Sequence, residues 1–362
     1  MSTHVTLPLE EIPPQEAEMI EQVKAHTLKQ MMRRYEVAGP VLRGVHPKDH
    51  GCVRARFTVN ADLPAGLRVG VFAEPGRTYA AWIRFSNAAL RAGADSASKG
   101  EHGSRGMAVK LMNVGGQPLL PGPGPHSQDF LMINQPVFAF ANVEDYLALN
   151  EVLTADGDEN PGRFFKERIP RADGDVGKRA KHSLEIVTAV RSGSSAPPYQ
   201  ALPASPVDNA YFSGSAFLFG EGRAMKFCAT PRKPSLDPPD TTNRDYLRTA
   251  LHQRLTAPEA AEIVFDFQLQ VRTAAELAGK LATEIENASC LWTDPPVPVA
   301  TITIAPQDFE TPERIALGES LTFTPWHGLV EHRPLGGINR LRLAVYEAST
   351  QLRHMPPEPP NP

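Results

Sequence analysis

Alternation of apolar and polar residues with a period of two is the feature that most constrains how this 362-residue chain can fold. Successive side chains of a β-strand point to opposite faces, so this period predicts strands that are buried on one side. The first group of such segments, between about residues 50 and 140, reads CVRARFTV, LRVGVFA, YAAWIRFSN, GMAVKLMNV and FLMINQPVFAF. A second group reads NAYFSGSAFLFGEG, AMKFCATP, EIVFDFQLQVRT and PVPVATITIAP. Many strands joined by short turns favour a large antiparallel sheet or barrel.

Helical periodicity appears before, between and after the two strand groups. The predicted helices cover 15–36, 143–153, about 180–192, 244–255 and 338–355. We therefore predict an α+β fold with an antiparallel β-barrel and flanking helices. A flexible arm over 1–12, one domain over 13–355 and a disordered Pro-rich tail over 356–362 complete the expected organisation. The polar, Gly-rich stretch 154–182 fits either a domain boundary or an insertion into a single barrel.

Composition excludes several classes of function. The net charge of −4 is spread along the chain without a long basic run, so nucleic-acid binding is not expected. No stretch of 18 apolar residues exists that could span a membrane. Cys52, Cys228 and Cys290 lack metal-ligand spacing and cannot all pair, which favours a reducing compartment. Without a signal-like apolar run at the N-terminus, we expect a cytoplasmic protein.

The last predicted helix carries an arginine–tyrosine pattern. Offsets of four and seven place Arg342, Tyr346 and Arg353 on one face of that helix. A guanidinium one turn from a tyrosine favours the phenolate, and a phenolate can serve as an axial ligand of haem iron. An ordinary stack of arginine on tyrosine at a helix surface fits the same spacing.

The segment RGVHPKDHGCVRARF places His46 just before a strand. It fits a loop histidine beside a proline, or an acid–base group that faces a bound cofactor. A metal pair of His46 with His50 would need a helix, which Pro47 and Gly51 oppose.

Alternation in WIRFSN places Trp82, Arg84 and Ser86 on one strand face and Ile83 and Phe85 on the other. The face with arginine and serine fits an exposed polar surface or the wall of an anion-binding pocket.

Five segments of the chain, in order, together resemble motifs of the haem catalases. They are RGVH (43–46), IRFSN (83–87), SRGMAVKL (104–111), DFLMINQPVFAF (129–140) and RLAVYEASTQLR (342–353). The resemblance covers about residues 30–355, and the chain looks most like the small bacterial catalase-related peroxidases. It implies a catalase-like barrel that lacks the C-terminal extension of larger catalases.

The resemblance also implies roles for individual residues. His46 would be the distal acid–base group, and Ser86 would fix its tautomer. Tyr346 would be the axial metal ligand, supported by Arg342. The implied contacts to the rest of the haem are Arg43, Arg84 and Arg353 at the propionates, Val45 over the distal face, and Tyr146 where catalases carry a phenylalanine.

One segment departs from the catalase pattern. Register from Pro136 places Ile133 at the position of the distal asparagine and Asn134 one residue later. Asn134 is predicted to be catalytic if the strand shifts or bulges. If Ile133 faces the pocket instead, oxidation of a second hydrogen peroxide would be impaired.

The resemblance, together with the departure at Ile133, implies a haem-dependent peroxidase, with haem b, that reduces organic hydroperoxides and/or hydrogen peroxide and has weak catalase activity. Its partners would be the peroxide, a small organic electron donor and further copies of the chain in a homo-oligomer. One alternative is rearrangement of fatty-acid hydroperoxides, as in allene oxide synthases. Another is a haem-binding protein without turnover.

Overall fold

An antiparallel sheet closed into a barrel forms the centre of the protein. The computed structural model describes residues 9–35, 42–90, 92–96, 103–120, 126–156 and 160–353. The strands are β1 (Asp49–Val59), β2 (Thr78–Asn87), β3 (Arg105–Leu111), β4 (Gln128–Ile133), β5 (Tyr211–Phe212), β6 (Phe217–Leu218), β7 (Arg223–Pro231), β8 (Ile263–Thr273) and β9 (Val297–Ile304). Their order is β5-β4-β3-β2-β1-β9-β8-β7, and pairing of β5 with β7 closes the ring. β6 pairs with β7 beside β5.

Helices flank the barrel. They are α1 (Glu16–Arg34), α2 (Val143–Asp156), α3 (Gly162–Arg168), α4 (Asp175–Arg191), α5 (Tyr246–Thr256), α6 (Ala274–Leu277), α7 (Leu281–Glu284), α8 (Pro312–Ser320) and α9 (Gly337–Leu352). α1, α2 and α9 pack together through Val23, Val143, Ile338 and Leu341. The predicted α+β class, with an antiparallel barrel and flanking helices, is confirmed. No helix of the described ranges is both long and apolar enough to cross a membrane.

Phenylalanine rings fill the barrel interior. The Phe267 ring centroid lies 5.1 Å from that of Phe57 and 4.8 Å from that of Phe130, which lies 5.0 Å from that of Phe227. All four side chains are almost completely buried. Aromatic pairs at these separations add to the stability gained from apolar burial.

Two segments that were each predicted as one strand have a different structure. LRVGVFA forms two short 3-10 turns, at Ala65–Leu67 and Gly70–Phe72, instead of a strand. Gly70 has φ +53°, and the His332 ring occupies the place where a Cβ would lie. The chain turns there and places Phe72 in the barrel interior. NAYFSGSAFLFGEG divides into β5 and β6 around Gly214, which has φ +69°.

The ends of the predicted domain are described only in part. Residues 1–8 and 354–362, with the whole predicted tail, lie outside the described residues. Leu9 is buried, and the Glu10 carboxylate accepts hydrogen bonds from Arg333 and Arg340. The polar, Gly-rich stretch 154–182 contains the end of α2, the whole of α3 and the start of α4.

We expect Phe267→Ala to destabilise the protein by about 3–5 kcal/mol, because it removes buried contacts with four phenylalanine rings and leaves a cavity. Chemical denaturation followed by circular dichroism measures the change. Leu236→Ala is the control, since Leu236 is 96% exposed and should change the free energy of unfolding by less than about 0.5 kcal/mol. Equal effects of the two substitutions would contradict the assignment of the core.

Candidate functional site

A row of small and apolar residues crosses three neighbouring strands on the outer face of the barrel. In the register of the sheet, Ser86 of β2 lies opposite Gly106 of β3, and Gly106 lies opposite Ile133 of β4. The adjacent residues Phe85 and Met107 point inward into the core. The predicted separation of the two faces of β2 is therefore confirmed, and the outer face is not simply exposed surface.

His46 lies directly over this row. Its Nδ1 is 2.9 Å from Ser86 Oγ, and Nη1 of Arg84 donates to its carbonyl oxygen at 3.0 Å. The residue has φ +59°, which is unusual for a side chain other than glycine. A Cβ on Gly106 would lie 2.6 Å from the imidazole ring. The ring therefore fits only because position 106 is glycine.

Removal from water, followed in order of effect by the positive charges of Arg84, Arg342 and Arg43, lowers the pKa of His46 to about 3. The imidazole is consequently neutral near pH 7. Since Nδ1 is paired with Ser86, Nε2 is the ring nitrogen that remains for other chemistry.

His50 belongs to a different hydrogen-bond network from that of His46. His50 Nε2 is 3.0 Å from Asn87 Oδ1, in a buried network where Asn87 also donates to Asp95 and accepts from Arg105. Burial lowers the pKa of His50 to about 3. Among the residues with described positions, no group of three or more His, Cys, Asp or Glu side chains could hold a metal ion.

The predicted arginine–tyrosine pair forms on α9. Nη2 of Arg342 donates to Tyr346 Oη at 3.3 Å, and the guanidinium carbon lies 5.4 Å from the ring centroid. Asn339, one turn earlier, accepts from Arg342 Nη1 and from Ser215 Oγ, both at 3.1 Å. Because Asn339 also donates to the carbonyl oxygens of Ala216 and Leu335, its side chain is fixed and orients Arg342.

Tyr146 of α2 is a neighbour of this pair. Its ring packs against Phe138 and Phe140, with centroids 5.8 and 6.0 Å away. Desolvation raises the pKa of Tyr146, and the nearby Tyr346 raises it further. Val45 is half-buried beside His46.

The three predicted propionate ligands, Arg43, Arg84 and Arg353, converge on one carboxylate of this chain, Glu319 of α8. Arg43 Nη1 lies 2.9 Å from Glu319 Oε2, and Arg84 and Arg353 lie 3.8 Å from its oxygens. Arg43 also donates to the carbonyl oxygens of Gly318 and Leu321. Burial and the charge of Arg84 lower the pKa of Arg43 to about 9. The cluster is therefore a buried, positively charged region.

Asn134 follows the last residue of β4 and is held by polar contacts. Its Oδ1 accepts from Arg105 N at 2.7 Å, and its Nδ2 donates to Asn209 at 3.2 Å. Ile133, in contrast, shares the outer row with Ser86 and Gly106. The strand keeps its regular register through Ile133, without the bulge that would exchange these two residues.

Sequence reasoning did not identify three residues that shape the site. Gly106 lies inside the segment SRGMAVKL, but only its distance from His46 shows why a side chain is excluded. Asn339 stands three residues before Arg342, a spacing that places both on one helix face. Nothing local in the sequence distinguishes Glu319.

No protein-family model and no curated protein matches the chain. Among solved structures, a fungal catalase is similar with a TM-score of 0.64 and 17% identity, over 90% of this chain and 61% of that one. A bacterial catalase has a TM-score of 0.62 and 16% identity, over 98% of this chain and 64% of that one. Catalase A from Saccharomyces cerevisiae has a TM-score of 0.62 and 16% identity, over 98% of this chain and 68% of that one.

The chain has the catalase fold. The resemblance inferred from five short segments is thus confirmed for the architecture. The chain spans less than two thirds of the length of the fungal and bacterial catalases it matches.

We expect acid to destabilise the protein through His46. The unfolded histidine binds a proton below about pH 6.5, whereas in the folded protein its pKa is about 3, so stability falls as pH falls through that window. Between pH 7 and pH 5 this contributes roughly 2 kcal/mol of lost stability. The free energy of unfolding, measured by urea denaturation at both pH values, should differ less between pH 7 and pH 5 in His46→Gln than in the wild type. His182→Gln, at a half-exposed histidine, is the control and should leave the difference unchanged.

Gly106→Ala should displace the His46 ring and destabilise the protein by about 1–3 kcal/mol, because the added methyl group overlaps the imidazole and Ser86 Oγ. Thermal unfolding measures the loss, and histidine NMR signals report the ring. Gly115→Ala is the matched control, since a Cβ there meets no atom within 4 Å. Unchanged His46 signals in Gly106→Ala would refute the close contact.

Proposed function

We propose that this protein is a haem-dependent peroxidase that reduces organic hydroperoxides. The observation that carries the proposal is one site that combines a neutral, oriented His46 with the Arg342–Tyr346 pair. The charge of Arg342 contributes to lowering the pKa of His46, so the two halves of the site are coupled electrostatically. The catalase fold of the chain is consistent with this chemistry.

The side chains of the site fit a haem. Tyr346 supplies a phenolic oxygen, a group that can ligate haem iron, and Arg342 Nη2 donates a hydrogen bond to that oxygen at 3.3 Å. Nε and Nη2 of Arg84 and Nε of Arg353 are buried without a hydrogen-bond partner among the described residues. Buried donors of this kind favour the binding of carboxylates such as haem propionates. Haem, when bound, supplies the redox chemistry with peroxide.

His46 would move the proton during peroxide cleavage. With Nδ1 held by Ser86, the lone pair for proton transfer lies on Nε2. The neutral ring takes a proton from the peroxide and returns it to the leaving oxygen, so the oxygen leaves as water or an alcohol rather than as an anion. Gly106 and the Arg84 contact to the His46 carbonyl keep the ring in place for this step.

Ile133 supports a preference for organic hydroperoxides. It stands in the row beneath His46, whereas the amide of Asn134 is already paired with Arg105 and Asn209. We assign Ile133, not Asn134, to the wall beside His46. An apolar wall without an amide favours an alkyl group over a second hydrogen peroxide. The same wall fits the rearrangement of fatty-acid hydroperoxides, which is the second candidate function.

Tyr346→Phe tests the cofactor. We expect the wild-type protein mixed with haemin to keep a Soret band through gel filtration, and Tyr346→Phe to lose most of it, since the phenolic oxygen is the proposed ligand. Tyr199→Phe, at a tyrosine outside the site, is the control and should retain the band. A wild-type protein that retains no haem would refute the proposed function.

His46→Gln tests the reaction on the haem-loaded protein. We expect the variant to keep its Soret band and to lose about 10²- to 10⁴-fold in kcat/KM with cumene hydroperoxide and an organic donor. Unchanged turnover would instead favour a haem-binding protein without a distal base.

Product analysis with a fatty-acid hydroperoxide and no donor distinguishes a peroxidase from an enzyme that rearranges hydroperoxides. An alcohol formed only when donor is added supports the peroxidase, and an epoxide formed without donor supports rearrangement.

A further inference from the structure

Glu319 brings a negative charge into the arginine cluster. Its side chain lies on α8, with 38% of its surface exposed, whereas the side chains of Arg84 and Arg353 are only 4% and 6% exposed. Three guanidinium groups face this one carboxylate, so these four side chains together carry a net charge of +2. This net charge would balance the two negative charges of a ligand with two carboxylates.

The contacts of the three arginines are unequal. Arg43 uses Nη1 for Glu319 at 2.9 Å and Nη2 for the carbonyl oxygens of Leu321 and Gly318 at 2.8 and 3.2 Å. It therefore ties the end of α8 to the segment that carries His46. Arg84 and Arg353 approach the Glu319 carboxylate only to 3.8 Å, although Arg353 Nη2 donates to the backbone oxygen of Glu319 at 2.9 Å. Nε and Nη2 of Arg84 and Nε of Arg353 are buried and have no hydrogen-bond partner among the described residues.

We propose that Glu319 sets the carboxylate specificity of the cofactor site by holding Arg43 in α8 and leaving Arg84 and Arg353 to bind the ligand's carboxylates. This inference rests on the proposed haem function and changes the role of Arg43 from a propionate ligand to a positioning residue. Because Glu319 repels a bound dianion, it also limits how tightly the haem is retained.

Haem release from Glu319→Gln tests the proposal without any activity measurement. The glutamine amide oxygen can still accept from Arg43, so the substitution removes the charge and keeps the hydrogen bond. We expect transfer of haem to apomyoglobin to slow by roughly tenfold in the variant, because one nearby negative charge is lost. Glu313→Gln, at an exposed position of the same helix, is the matched control and should release haem at the wild-type rate.

Iron protoporphyrin dimethyl ester, which has no free carboxylate, distinguishes a charge effect from a structural one. Its release should differ by less than about twofold between wild type and Glu319→Gln. Equal slowing with haem and the ester would overturn the proposal, as would unchanged haem release in the variant. If the wild-type protein binds haem and either result appears, only the role of Glu319 fails. If it binds no haem, the proposed function fails as well.

Discussion

The packing of phenylalanine rings inside the barrel is the constraint on which the site depends. Phe57, Phe130, Phe227 and Phe267 contact one another from strands on different sides of the barrel. A shift of one residue in any strand would move its ring out of the core, so this packing fixes the register. The same register brings Ser86, Gly106 and Ile133 into one row outside. The chemistry of the outer face is thus positioned by apolar contacts of the inner face.

Electrostatics at the site is set by desolvation. His46 stays neutral because it is removed from water and surrounded by arginines. The arginines in turn lie buried around the Glu319 carboxylate, the one carboxylate that contacts all three within the described part of the chain, and burying this excess of positive charge costs free energy. The site therefore combines an excess of positive charge with an imidazole that is neutral near pH 7. Both properties arise from elements far apart in the chain, namely the segment before β1, β2, α8 and α9.

Local sequence predicted side-chain positions correctly where they depend on one strand or one helix alone. The alternation in WIRFSN predicted which side chains of β2 face outward, and the spacing of Arg342 and Tyr346 predicted their contact on α9. It failed for LRVGVFA, because alternation there was interrupted by a turn that depends on His332, more than 250 residues later. It also left Ile133 and Asn134 open, since only the pairing of β4 with β3 and the polar partners of Asn134 distinguish them.

The sequence by itself determined the barrel class, the helices around it and the residue types available for chemistry, because periodicity and helical spacing are local properties of the chain. Only the tertiary structure decided how they combine. Gly106 leaves room for the His46 ring, Ser215 and Ala216 hold the Asn339 side chain, and Glu319 meets three arginines from three other segments. Such contacts join residues tens to hundreds of positions apart, and no local pattern encodes a distance between two side chains that meet only when the chain folds.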